Sequence, residues 1–305
     1  MTTTNDLPNH ELAERIGQLL KRLKLSQMAA RLDDEQRRAV SDDNEPLRLL
    51  YRLLEHEWRV RTERRIERRI RESKLPERKL LSDFDFDFQP GLNRPLVMQL
   101  ATLRFVDKGQ GILFGGNSGT GKSFLAKAIA LLACHQSYRV RYTTASAMLT
   151  DLHSGLADDS VQDKLKAYVA PALLVIDELG FDRLEQEGSR NATLFFKVID
   201  TRYRRVVSTI ITTNIDFKML GEYLGDPLAT ASIADRMLHH SVVINIDGPS
   251  WRLQQSEQLN RSEREQLDGP AVAASKTPSK VKSTGRKTVS TPSKAGAKRM
   301  RKPRR

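Results

Sequence analysis

The sequence predicts an α/β protein in which a mainly parallel β-sheet is sandwiched by helices, preceded by a small all-α N-terminal domain and followed by a disordered Lys/Arg-rich tail. Three observations carry this. Five short β-rich runs, at residues 111–114, 140–143, 173–176, 209–212 and 242–244, are mostly separated by helix-length segments, the alternation of a parallel sheet covered on both faces. The first 75 residues show helical periodicity instead. After about Gln255 the apolar residues thin out and Ser, Thr, Pro, Ala and Lys take over, leaving too little apolar surface to order the chain.

In chain order, Leu12, Ile16, Leu19, Leu20 and Leu23 fall on one helical face, and Leu47, Leu50, Tyr51, Leu54 and Trp58 on another. Residues 41–46 read as a loop, with Pro46 near the first turn of the next helix. That helix continues through Arg59, Arg61, Arg64, Arg65, Arg68, Arg69 and Arg71, with Ile66 and Ile70 keeping an apolar edge, and Pro76 is expected to end it. Residues 83–90 alternate Asp and Phe and read as a linker with aromatic anchors. These boundaries give a helical domain at 1–78, a sheet domain at 79–255 and a tail at 256–305.

With 305 residues, 39% hydrophobic and 29% charged, the chain can bury one good-sized core with appendages or two small ones. Collagen-like, disulfide-scaffold and wholly disordered classes are excluded. One cysteine, Cys134, makes no internal disulfide, no stretch has the build of a secretory leader, and the apolar runs fall far short of the ~20 residues of a membrane span. A reducing, cytoplasmic compartment and no membrane partner are expected.

The formal charge is +13, and residues 271–305 hold twelve Lys or Arg and no acid, so the rest of the chain sums to +1. An arm of this kind binds nucleic-acid phosphates without reading sequence, and salt weakens it steeply. Its candidate contacts are Lys298, Arg299, Arg301 and Lys302; on the arginine helix they are Arg64, Arg65, Arg68 and Arg69. Between Arg59 and Lys79 there are ten bases and four acids, several at i,i+3 or i,i+4, so this stretch is either a solvated, self-paired surface or a DNA contact.

The strongest chemical signal is Gly116-Asn117-Ser118-Gly119-Thr120-Gly121-Lys122-Ser123, a full phosphate-loop pattern lying after a β-run and before a helix. Its glycines let the backbone curl so that N–H groups converge on a β-phosphate, and the helix N-terminus adds a favourable dipole. Lys122 is expected to bridge the β- and γ-phosphates and Ser123 to hold Mg²⁺. A second β-run ends in Asp177-Glu178, where ligands gather in open parallel sheets. Asp177 is placed to order the Mg²⁺ shell and Glu178 to polarise an attacking water. A third ends at Asn214, which either holds that water and senses the γ-phosphate or terminates the strand by turn chemistry. Cys134 reads as core, and His239-His240 as structural for want of further ligands at metal spacing.

Together these elements resemble the AAA+ ATPases, and the wording around them resembles the IstB-like transposition helper ATPases of IS21-type insertion sequences. The likeness rests on Asp83-Phe84-Asp85-Phe86, Gln89-Pro90-Gly91-Leu92, Gln99-Leu100-Ala101-Thr102, the phosphate loop, Asp177-Glu178-Leu179-Gly180, Thr213-Asn214, Gly225-Asp226-Pro227 and Asp235-Arg236-Met237-Leu238-His239-His240, and spans most of residues 7–255. The family's loop usually carries two prolines and a terminal Thr; here Asn117-Ser118 and Ser123 stand there, and the hydroxyl is kept. The resemblance implies an AAA+ sheet, ATP and Mg²⁺ as cofactors, hydrolysis, a homo-oligomeric ring or helical spiral on double-stranded DNA, an IS21-type transposase as partner, and a bacterial cytoplasm.

It also implies that Arg236 is an arginine finger reaching the γ-phosphate of a neighbouring subunit, where its charge offsets that spreading over the transferred phosphoryl group. A surface ion pair with Asp235 or another acid is the competing reading of Arg236, and Arg202, Arg204 and Arg205 are rival fingers. Trp251-Arg252 stands where the family has Tyr-Arg; whether Arg252 is a second nucleotide sensor stays open, since little helical lid is expected after it. The tail lies beyond the family's usual C-terminus. Two other functions compete: a replicative helicase loader acting on single-stranded DNA, although residues 1–75 lack the cysteines of a zinc site, and a small-molecule kinase, for which no acceptor pocket is marked.

Overall fold

The computed structural model describes residues 9–41, 46–180, 188–215 and 227–267. Helices α1 (Asn9–Arg22), α2 (Ser26–Ser41) and α3 (Pro46–Ser73) come first. Then follow α4 (Arg94–Ala101), α5 (Arg104–Asp107), β1 (Gly111–Gly116), α6 (Lys122–His135), β2 (Val140–Thr144), α7 (Ala145–Ala157), α8 (Val161–Val169) and β3 (Leu173–Leu179). The order closes with α9 (Gly188–Arg204), β4 (Ser208–Thr213), α10 (Pro227–His239), β5 (Ser241–Ile246) and α11 (Trp251–Leu267).

All five expected β-runs are strands of one parallel sheet, in the order β2-β3-β4-β1-β5. Alternation along each strand sends residues to opposite faces. On one face Ile112, Phe114, Val175 and Ile210 pack with Leu125 and Ile129 of α6, Val97 and Leu100 of α4, and Ile70 of α3. On the other, Leu113, Leu174, Ile176 and Ile211 pack with Met148 and Leu152 of α7, Leu165 of α8, Phe195 of α9 and Ile233 of α10. The expected phosphate-loop sheet sandwiched by helices is therefore present, and β1 and β3 deliver their last residues to one edge. Cys134 is buried in the first of these cores, and burial raises its thiol pKa.

A small separate core of Leu20, Met28, Leu32 and Leu53 joins α1, α2 and α3. Here the structure differs from the periodicity. Leu50, Tyr51, Leu54 and Trp58 are 48–68% exposed, as are Leu19 and Leu23, while Leu53 and Glu57 face inward at 4% exposure. The reason is polar. The Glu57 carboxylate accepts the N–H groups of Gln27 (2.8 Å) and Met28 (3.0 Å), donors in the first turn of α2 that the helix itself leaves unpaired, and Nε of Arg61 (2.6 Å).

Two ends also differ from expectation. Helix α3 stops at Ser73, before Pro76: the Ser73 hydroxyl donates to Ile70 O (2.6 Å) and accepts from Leu75 N (3.2 Å), and Lys74 takes the left-handed conformation of a helix C-cap (φ 57°). Helix α11 runs to Leu267, twelve residues past the boundary drawn from composition, because residues 251–267 are rich in Leu, Gln, Glu and Arg and contain neither Gly nor Pro. The chain divides into two units, Met1–Glu257 and Gln258–Arg305. The tail candidates Lys298, Arg299, Arg301 and Lys302 lie outside the described residues. No helix among the described residues is long and apolar enough to cross a membrane.

Candidate nucleotide site

Strand β1 ends at Gly116, whose φ of 126° and approach to the Ile246 carbonyl exclude a side chain: a Cβ would lie 2.3 Å from that oxygen. The loop closes at Gly121 (φ 95°), where a Cβ would meet the Phe84 ring at 2.6 Å, and α6 begins at Lys122. Between them the Thr120 hydroxyl ties back to Asn117 O (2.9 Å). The Lys122 ammonium lies across its own loop, donating to Gly116 O (2.8 Å) and Asn117 O (2.6 Å). Burial lowers its pKa and the Asp177 charge opposes that fall. The ammonium thus occupies carbonyls it can exchange for an anion.

Asp177, 1% exposed, collects donors from four directions. Its Oδ1 accepts the Ser123 hydroxyl (2.7 Å), the Thr212 hydroxyl and the Glu178 N–H (3.2 Å), and its Oδ2 accepts the Tyr142 hydroxyl. Burial and the Asp177 charge push the Tyr142 phenol pKa upward, so it stays a donor. At the next residue the pairing of β3 with β4 shifts register, and Glu178 takes φ 61°, a conformation uncommon outside glycine. Its N–H donates to Thr212 Oγ1 (3.0 Å) while its side chain stands exposed. Asn214, also exposed, follows the end of β4.

A cavity of about 580 Å³ is bounded by the phosphate loop, Glu178, Thr212 and Asn214. Its other wall is aromatic: Phe84 lies 5.5 Å from Phe124, and Phe88 meets Trp251 edge-on at 4.9 Å. The wall is fastened to the loop, since Trp251 N–H donates to Gly119 O (3.0 Å) and the Gln89 amide to Pro249 O (2.8 Å). Arg252 lines the same cavity from the start of α11. Of the expected site residues, the structure brings the loop, Glu178 and Asn214 to this cavity, with Asp177 bonded to Ser123. Sequence reasoning read the spaced phenylalanines as anchors without a ligand, and it missed Thr212 and Tyr142, which carried no local signal.

Arg236 is not brought to this cavity within the chain. It sits on α10, beside the first residues of β1 and β4, in a second cavity of about 360 Å³. Its ion pair is with Asp200 of α9 (Nε–Oδ1 2.8 Å), while Nη1 donates to Ser232 O (2.9 Å) and the guanidinium lies over Phe196 (5.0 Å). Of the rivals, Arg204 shares Asp200 (2.9 Å) and Arg205 donates to Val169 O (3.0 Å). Arg202 is 1% exposed and spends its guanidinium on Tyr168 O (2.9 Å), Pro171 O (3.0 Å), Ser208 O and Thr209 Oγ1 (2.9 Å), so it is a structural brace; burial lowers its pKa. His239 and His240 lie 4.0 Å apart beside Tyr203, whose hydroxyl is 3.0 Å from His239 Nδ1.

On α3 the acids are only partly spent on neighbouring arginines. Glu57 holds Arg61 (2.6 Å) and Glu72 meets Arg69 (3.4 Å), but Glu67 pairs with Arg78 from beyond the helix (2.6 and 2.9 Å). Arg64, Arg65 and Arg68 are exposed, and no ion pair involves them among the described residues.

A family model described as IstB-like ATP binding protein matches residues 18–259. The ATP-binding protein of insertion sequence IS232 from Bacillus thuringiensis subsp. berliner is 35% identical over 234 residues, 77% of this chain and 92% of its own length. That of IS5376 from Geobacillus stearothermophilus is 34% identical over 255 residues, 84% and 100%. That of IS21 from Pseudomonas aeruginosa is 32% identical over 237 residues, 78% and 88%.

Proposed function

The chain belongs to the IstB-like ATP-binding protein family, and from that premise we propose that it is an oligomeric, Mg²⁺-dependent ATPase that binds duplex DNA without sequence specificity and assists an IS21-type transposase in selecting or remodelling target DNA in the bacterial cytoplasm. The carrying observation is the cavity in which Lys122, Ser123, Glu178 and Asn214 converge at the carboxyl edge of a parallel sheet, with Asp177 bonded to Ser123.

Each residue has a task there. The loop amides and the N-terminus of α6 receive phosphate oxygens, and Lys122 turns from Gly116 O and Asn117 O to the β- and γ-phosphates. The aromatic wall around Phe88 and Trp251 is suited to an apolar, planar base. Mg²⁺ suits the oxygen donors present: Ser123 gives its hydroxyl proton to Asp177, which leaves the hydroxyl lone pairs for a hard cation. Ser123 and Asp177 would hold the ion, which when bound neutralises charge developing on the transferred phosphoryl group. Glu178, turned outward by its left-handed backbone, orients and deprotonates the attacking water, and Asn214 steadies it. Arg252 senses the nucleotide from α11. Arg236, absent from its own chain's cavity, acts in a neighbouring subunit's. Arg64, Arg65 and Arg68, with the tail, contact DNA phosphates.

Sedimentation at fixed moderate salt tests this, with random-sequence duplex or single-stranded DNA and either ATP or ADP plus Mg²⁺. Large assemblies that need both ATP and duplex are expected. Assembly on single strands would favour a helicase-loader role, and assembly indifferent to nucleotide would remove the ATP switch.

A further inference from the structure

We propose that Tyr142 is a positioning residue of the phosphate site, locking the orientation of Asp177 so that Ser123 presents its free lone pairs to a divalent cation. This rests on the assignment of Asp177 and Ser123 to Mg²⁺. In the parallel pairing of β2 with β3, Tyr142 stands opposite Val175, two residues before Asp177, so the Tyr142 and Asp177 side chains leave the sheet on the same face, toward α6. The ring is 8% exposed within the core on that face, and the Lys127 ammonium, one helical turn beyond Ser123, lies over it at 5.9 Å. The ring is thus held in the core and under Lys127 where its hydroxyl reaches Asp177 Oδ2.

The distribution of donors gives this hydroxyl its weight. Three donors, from Ser123, Thr212 and Glu178, converge on Oδ1, and among the described residues Tyr142 alone serves Oδ2. A carboxylate held through one oxygen can swing about its terminal torsion, whose wells are broad; one held through both oxygens cannot. Deleting the phenol oxygen leaves Oδ2 buried and unpaired, and the carboxylate gains by rotating toward whatever donor is in reach. The Ser123 hydroxyl, whose proton is held by Oδ1, moves with the carboxylate. Rotation therefore spoils the alignment of the serine oxygen that faces the cavity, while the loop amides and Lys122 are untouched. The effect belongs to metal binding and not to nucleotide binding as such.

The test uses the full chain with Tyr142→Phe, which keeps the ring, its packing and the Lys127 contact and removes only the hydroxyl. Affinity for a fluorescent ATP analogue is measured in EDTA and across a Mg²⁺ titration, and Mn²⁺ binding to the nucleotide complex is followed by electron paramagnetic resonance. Loss of one hydrogen bond to a charged group is expected to raise the half-saturating Mg²⁺ and Mn²⁺ concentrations about tenfold, with metal-free nucleotide affinity unchanged. An unchanged metal midpoint overturns the proposal. So does a loss of metal-free affinity by the same factor, which would make Tyr142 a packing residue. Asp177→Asn, measured alongside, separates the two levels: if it shifts the midpoint and Tyr142→Phe does not, only the tyrosine's role has failed; if neither shifts it, the metal assignment beneath both has failed.

Discussion

The two edges of the sheet use charged side chains in opposite ways. At the amino edge four arginines are spent: Arg202 on three carbonyls and a hydroxyl, Arg236 and Arg204 on Asp200, Arg205 on Val169 O. At the carboxyl edge one carboxylate, Asp177, is saturated, and around it stand groups with capacity to spare. Glu178 and Asn214 are exposed to the cavity, and Lys122 holds carbonyls of its own loop. A cluster of charge is therefore a poor marker of a site. What marks one is a rigidly held group surrounded by polar groups whose partners are still exchangeable, facing a cavity.

The comparison breaks most sharply at Arg236, the one amino-edge arginine given a role in another subunit. Arg236→Ala is expected to leave nucleotide binding intact and to lower hydrolysis in DNA-bound assemblies by about 10³ or more. Mixing it with Lys122→Ala should restore part of the activity, because one composite site then carries both groups. Loss of hydrolysis without any such rescue would return Arg236 to the braces of the amino edge. Next, Glu178→Gln should cut single-turnover hydrolysis by about 10²–10⁴ while ATP binding persists and ATP-dependent DNA assemblies last longer. Unchanged turnover would remove Glu178 from its role. The smallest effect on the site is expected from Arg202→Met, which orphans four acceptors, two of them in buried bonds: a loss of about 3 kcal/mol in denaturant unfolding, with nucleotide affinity held within about twofold. A selective loss of affinity at unchanged stability would show that the two edges communicate.

How far each feature was legible follows from its range along the chain. The phosphate loop is eight consecutive residues, so strand, turn and helix start could be read together, and an apolar run ending in Asp177-Glu178 declares its own position at a strand terminus. The Asp200 partner of Arg236 is 36 residues away, and nothing local distinguishes it from Asp235, the neighbour that sequence offered first. Helix α3 shows a different failure. Periodicity weighs apolar area and selects the stripe with Leu50, Leu54 and Trp58. The fold turns Glu57 inward because the first amides of α2 need an acceptor, and that need outweighs the area.

By itself the sequence determined the strand alternation, the phosphate loop, the two carboxylates near the end of β3 and the family, since each depends on contiguous residues and on backbone rules that act over a few positions. Only the tertiary structure decided that Asp177 is tied to Tyr142 and Thr212 across neighbouring strands, that Arg202 is a brace, that Arg252 shares the nucleotide cavity, and which face of α3 is buried. Those are questions of which buried donor finds which acceptor. Their answer is set by the strong tendency of buried polar groups to find partners, a condition on the whole packed chain that no local pattern encodes.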